Sequence, residues 1–159
     1  MKKYEAMVLS CMDPRFQPKV FNYLKKKKLT GKYSSFTIAG AAIGVTSKKF
    51  KKWQSTFLDN LSTSIKLHNI NKLIVINHED CGAAKIVNRK KEFSSIVEKK
   101  IHKDSFEKIK AIEKSPSSNL WFVSGTVDQP EDDGSFWKCT KFNSKYVPIY
   151  QIDYEYGTI

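Results

Sequence analysis

A chain of 159 residues with 40% hydrophobic content, including ten Phe, seven Tyr and three Trp, has the apolar volume for a single domain, 1–159, around one core. Its 28 Lys and Arg against 16 Asp and Glu leave a formal charge of +12, but Arg15 and Arg89 are the only arginines. That excess is therefore a diffuse lysine field without the planar forks that read bases, which argues against a dedicated nucleic-acid reader.

In chain order, residues 5–11 read as a short buried strand, and 16–28, with Pro18 near the start and Phe21 and Leu24 on one side, as a helix. A second strand is expected over 34–38. The small-residue segment 39–44 follows as a tight turn or close-packing site; it lacks the third glycine and the acidic partner of a dinucleotide loop. Phe50, Trp53, Phe57, Leu58, Leu61, Ile65 and Leu67 recur at helical spacing and predict a long amphipathic helix from Lys48 to His68, ending at Asn69.

Residues 72–77 form the clearest buried strand, and 82–87 read as helix. One or two Lys/Glu-rich helices are expected over 93–114, with Ile96, Val97, Ile101, Phe106, Ile109 and Ile112 as their apolar stripe. A third buried strand is expected at 120–123, an acidic turn at 129–134 and an edge strand at 146–154. No stretch approaches the roughly 20 apolar residues of a membrane span. The three cysteines are too far apart for a disulfide framework, and both features point to a cytoplasmic protein with no membrane partner. The alternation of strand and helix predicts an α/β fold, a mainly parallel central sheet flanked by helices.

Two clusters follow strands: Cys11-Met12-Asp13-Pro14-Arg15 and His78-Glu79-Asp80-Cys81-Gly82. Ligands bind at the carboxyl ends of strands in open α/β sheets, so Cys11, His78 and Cys81 can converge on one metal ion. Three protein ligands leave a fourth position open, the mark of a catalytic zinc. Asp13 and Arg15 can pair beside it. The competing readings are buried cysteines acting as small hydrophobes, and a Cys81 nucleophile assisted by His78. Cys139 has no ligand-type neighbour, and His68 and His102 are expected at helix surfaces or caps.

Cys-x-Asp-x-Arg after the first strand and His-x-x-Cys-Gly after a later one resemble the β-class carbonic anhydrases. The resemblance implies a β-carbonic anhydrase-like fold and Zn2+ held by Cys11, His78 and Cys81. It also implies that Asp13 and Arg15 govern the fourth position, with Asp13 as a possible fourth ligand in a closed state. The implied reaction is the reversible hydration of CO2 to bicarbonate and a proton, in a homodimer or higher homo-oligomer. The chain departs from the family at Thr37-Ile38, where Arg-Asn is common before Ala-Gly, and at Asn77, where a glycine usually precedes the zinc histidine. Two alternatives follow: hydrolysis of carbonyl sulfide or carbon disulfide at the same site, or a non-catalytic zinc-stabilised basic domain that binds nucleic acid or an acidic partner.

Overall fold

The computed structural model describes residues 4–89 and 92–112 with their side chains, except those of 110 and 112, and the backbone alone of 121–127, 134–143 and 146–158. The elements run β1 (Ala6–Cys11), α1 (Gln17–Lys26), β2 (Tyr33–Ile38), α2 (Ala42–Thr46), a 3-10 turn (Lys48–Phe50) and α3 (Lys51–His68). They continue with β3 (Lys72–His78), α4 (Gly82–Val87), α5 (Ser95–Ile112), β4 (Trp121–Val127), β5 (Gly134–Asn143) and β6 (Tyr146–Thr158). The strands form one sheet in the order β2-β1-β3-β4-β5-β6. From β2 to β4 every pairing is parallel, and the last two are antiparallel. The expected α/β sheet, mainly parallel and flanked by helices, is what the chain forms.

Strand alternation sorts the core into two layers. Ala6 and Val8 of β1 and Ile74 and Ile76 of β3 pack with Phe16, Val20, Tyr23 and Leu24 of the α1 segment. Met7, Leu9, Leu73 and Val75 face the other way, against Ile43, Phe57, Leu61 and Ile109 from α2, α3 and α5. Each fully buried Leu or Ile contributes about 1.5–3 kcal/mol relative to exposure. The buried face of α1 is Val20, Tyr23 and Leu24, and Phe21 turns outward, because the helix rests on the sheet through its i, i+3, i+4 row. On α5, Ile96 is 80% exposed; the first half of the buried face is polar instead.

β4 runs beyond the expected end at Val123, because Ser124 to Val127 pair with Val75 to His78; the ladder with β3 extends it where the apolar pattern stops. β5 was not expected at all. Its sequence places Phe136 beside Trp137 and scatters lysines, so no period of two marks it, and its pairing with β4 and β6 makes it a strand. The acidic turn expected over 129–134 lies, Gly134 apart, outside the described residues.

The small-residue segment 39–44 is a close-packing site, as expected. Gly40 has φ +76°, and a Cβ there would lie 2.5 Å from that of Ala83. A Cβ on Gly44 would run into the carbonyl oxygen of Ala39, in backbone that has little room to yield. Gly44→Ala is therefore expected to destabilise the fold by about 1–3 kcal/mol, read as a lower urea midpoint at unchanged slope; an unchanged midpoint contradicts this packing.

Candidate metal centre

β1 and β3 are parallel neighbours, and Cys11 and His78 are their last residues, so both stand on one rim of the sheet. After His78 the chain turns through Asp80, in the left-handed region at φ +54°, and brings Cys81 back as the residue capping α4. The donor atoms of Cys11, His78 and Cys81 lie within 4.8 Å of one another, and all three residues are buried. Sequence reasoning named these three, and the fold brings them together.

The ring of His78 is stacked on Phe16 with centroids 4.1 Å apart. Its Nδ1–H donates to the Glu79 carbonyl at 2.7 Å, which leaves the lone pair on Nε2; that atom is buried and has no hydrogen-bond partner. Burial opposes charge on the imidazole, but the Cys11 sulfur and the Glu79 carbonyl outweigh it and raise its basicity. Cys11 is drawn down by the neighbouring Cys81 thiol, against burial, with help from His78 and the Gly40 N–H, which is 3.3 Å from its sulfur. Cys81 is pushed up, because it keeps its proton beside Cys11 and is itself buried. Two sulfurs thus stand beside an orphaned imidazole nitrogen. Two thiolates with one imidazole are a donor set that would fit a divalent cation such as zinc.

Asp13 and Arg15 also pair. Arg15 Nε reaches both carboxylate oxygens at 3.0 and 3.1 Å, Nη2 reaches Oδ2 at 2.7 Å, and the Arg15 N–H closes on Oδ1 at 3.0 Å. Asp13 Oδ2 lies 3.9 Å from His78 Nε2, at the edge of the donor cluster. Sequence reasoning missed Asp80, although it sits inside the second motif: its carboxylate takes Arg15 Nη1 at 3.0 Å and the Lys85 ammonium, so the pair is a chain Lys85–Asp80–Arg15–Asp13.

A buried polar group behind the cluster was also missed. Glu98 accepts the Cys81 N–H at 2.8 Å, and His102 Nε2 lies 3.6 Å from the same carboxylate oxygen. The expectation of a surface or capping role for His102 is corrected: it is 3% exposed, with Nδ1 2.9 Å from Asn77 Nδ2. The i, i+4 spacing of Glu98 and His102 was the available signal. His68 is half-buried at the end of α3, stacked on Tyr4 and outside the cluster. Of Cys139 only the backbone, on β5, is described.

Residues 1–116 match the family described as "Putative carbonic anhydrase". The chain belongs to that family. Its fold is that of the β-carbonic anhydrases. It superposes on the β-carbonic anhydrase CcaA with a TM-score of 0.59 at 12% identity, covering 91% of this chain and 80% of that one. It superposes on the β-carbonic anhydrase CafA of Aspergillus fumigatus with a TM-score of 0.57 at 12% identity, covering 80% and 72%. A tetrameric β-carbonic anhydrase of Sordaria macrospora gives 0.52 at 10% identity, covering 80% and 77%. An uncharacterized protein of Rickettsia bellii is 23% identical over 136 residues, 81% of this chain and 83% of its own. Another, from Rickettsia conorii, is 25% identical over 87 residues, 55% of this chain and 47% of its own, so the match spans about half of that relative.

In this carbonic anhydrase-family chain the Arg15 guanidinium holds the Asp13 carboxyl down at about 2, against the small effect of burial. A lowered value means the carboxylate pair is intact above the ordinary carboxylate range and is lost as pH falls toward 2. Carbon-13 NMR of the metal-free protein is expected to show Asp13 titrating near that value and moving up toward the ordinary range in Arg15→Ala; a titration that ignores the substitution contradicts the pairing.

Proposed function

We propose that this chain is a zinc-dependent carbonic anhydrase, a carbonate dehydratase interconverting CO2 and water with bicarbonate and a proton, with Zn2+ on Cys11, His78 and Cys81. The observation that carries this reading is the convergence of two thiols and an unpartnered imidazole nitrogen, with an ionised carboxylate at 3.9 Å. Zinc held by three protein ligands keeps a position for substrate and supplies the Lewis acidity that makes water acidic near neutral pH.

The chain's own residues do the rest. Asp13, kept ionised by Arg15, is an acceptor only, so it orients a water or a bicarbonate hydroxyl through that group's proton. Arg15 divides its donors between Asp13 and Asp80, which fixes the direction in which the carboxylate points. Asp13, 3.9 Å from His78 Nε2, would also be the residue able to serve as a fourth ligand in a closed state. Phe16 covers one face of His78 and keeps water from it. We place the protein in the cytoplasm, where two free thiols stay reduced. We also assign it a homodimer or larger assembly, by analogy with the tetrameric β-carbonic anhydrase of Sordaria macrospora that shares its fold.

Stopped-flow CO2 hydration with protein carrying one zinc per chain tests the reading. Catalysis well above buffer is expected, with a loss of at least about 100-fold in Cys11→Ser and about 10- to 100-fold in Asp13→Asn. A rate equal to buffer, indistinguishable between parent and Cys11→Ser, rejects it. Turnover of carbonyl sulfide or carbon disulfide without that of CO2 assigns the site to the hydrolase alternative, and a metal-free, alkylation-sensitive activity assigns it to a Cys81 nucleophile. Light scattering on the eluting protein is expected to give the mass of two or more chains; a monomer at micromolar concentration removes the assembly.

A further inference from the structure

We propose that Glu98 and His102 are positioning residues for the metal centre, gripping through Asn77 and the Cys81 amide the loop that carries His78 and Cys81. This rests on the zinc reading above.

Helix α5 presents Glu98, His102 and Ser105 at i, i+4 and i+7, one continuous stripe, and all three are buried. A carboxylate that is 6% exposed is costly unless donors surround it. Here the donor belongs to the metal loop: the Cys81 N–H at 2.8 Å. His102 Nε2 stands 3.6 Å from the same oxygen, just beyond hydrogen-bond range, and its tautomer follows from the bonds around it. Asn77 Oδ1 accepts the Ala42 N–H at 3.1 Å, so its amide nitrogen donates to His102 Nδ1 at 2.9 Å and to Ser105 Oγ at 3.3 Å. The His102 proton therefore sits on Nε2, facing Glu98 at 3.6 Å.

One helix thus holds both ends of the loop: Asn77, next to His78, through His102, and the amide of Cys81 itself through Glu98. Packing alone would be served by aliphatic residues at these positions. A charged acceptor instead fixes where the Cys81 sulfur stands before a cation arrives, and its negative charge favours that cation. Glutamine in its place keeps an acceptor oxygen for the Cys81 N–H but carries no charge.

The test measures zinc affinity of the full chain by competition with a chromogenic chelator, together with the thiolate-to-cobalt charge-transfer band of the Co2+ form. Urea unfolding of the metal-free protein is the control. Glu98→Gln is expected to bind zinc about 10- to 100-fold more weakly, with a shifted cobalt band and a metal-free urea midpoint close to the parent's. Zinc affinity within twofold of the parent overturns the inference. A weakening matched by an equal loss of metal-free stability also overturns it, since the role is then structural. If Glu98→Gln does not fold, His102→Gln is read by the same criteria. A parent chain that takes up no stoichiometric zinc overturns the zinc reading, and this inference with it; tight parent binding with an indifferent Glu98→Gln overturns this inference alone.

Discussion

The parallel pairing of β1 with β3 is the constraint on which the site depends. The ladder runs from Ala6 opposite Lys72 to Ser10 opposite Ile76, so the next residues on each strand, Cys11 on one and Asn77 and His78 on the other, leave the sheet at the same rim. Were the strands antiparallel, these ends would stand about 20 Å apart, the length of six residues at roughly 3.3 Å each, and no side chain could close the gap. The period of two then divides the work. His78 falls in the series of Ile74 and Ile76 and meets Phe16 from the α1 side, while Asn77 falls in the series of Leu73 and Val75 and meets α2 and α5. A single ladder delivers an imidazole to one face and an amide to the other, one residue apart.

Two charge systems of different kind meet at the turn between His78 and α4. The chain Lys85–Asp80–Arg15–Asp13 is exposed, with about 40% of the Arg15 and Asp80 side chains open to solvent, so each link adds little to stability and is weakened by salt. What it supplies is direction: a forked guanidinium held on two carboxylates has few orientations left. The Glu98–His102 pair is buried and out of reach of salt, and it acts on backbone groups rather than on a solvent-facing carboxylate. Asp80 stands between them, its carboxylate in the exposed chain and its backbone next to the Cys81 amide that Glu98 accepts.

This division explains what could be read from the sequence. The apolar runs of β1, β3 and β4 and the three metal-type donors are local signals: a run of buried residues followed by a Cys or His needs no knowledge of partners. The long helix also ends where expected, since Asn69 takes the left-handed conformation that closes α3. The polar stripe of α5 could not be read in this way. Glu98 and His102 lie among lysines and glutamates, and in a chain with +12 charge such a face looks solvated; only the arrival of the Cys81 loop makes it interior. The same cause misled the reading at Ile96, an apolar residue on the outer side of that helix, and at Phe21 on α1. β5 shows the converse, a strand set by its neighbours in a segment without alternation.

The two departures from the β-carbonic anhydrase pattern are not equivalent. At Thr37-Ile38 the backbone carries the structure: Ile38 pairs with Cys11, and its carbonyl accepts the Met12 N–H at 3.2 Å and the Ala41 N–H at 3.1 Å, bonds that any side chain would allow. At Asn77 the side chain is the structure. Its carbonyl takes Ala42, its amide takes His102 and Ser105, and Ser105 in turn donates to the His102 carbonyl at 2.7 Å, so every polar atom of that amide has a partner in an interior where an unpaired one costs about 1–3 kcal/mol. Asn77 and His102 are therefore coupled: replacing Asn77 alone with glycine would strip the buried Ala42 N–H and His102 Nδ1 of their partners and leave Ser105 Oγ with its bond to the His102 carbonyl only. An asparagine beside His78 thus takes the partners of its amide nitrogen, His102 and Ser105, from α5, the helix that also supplies the carboxylate on the Cys81 N–H.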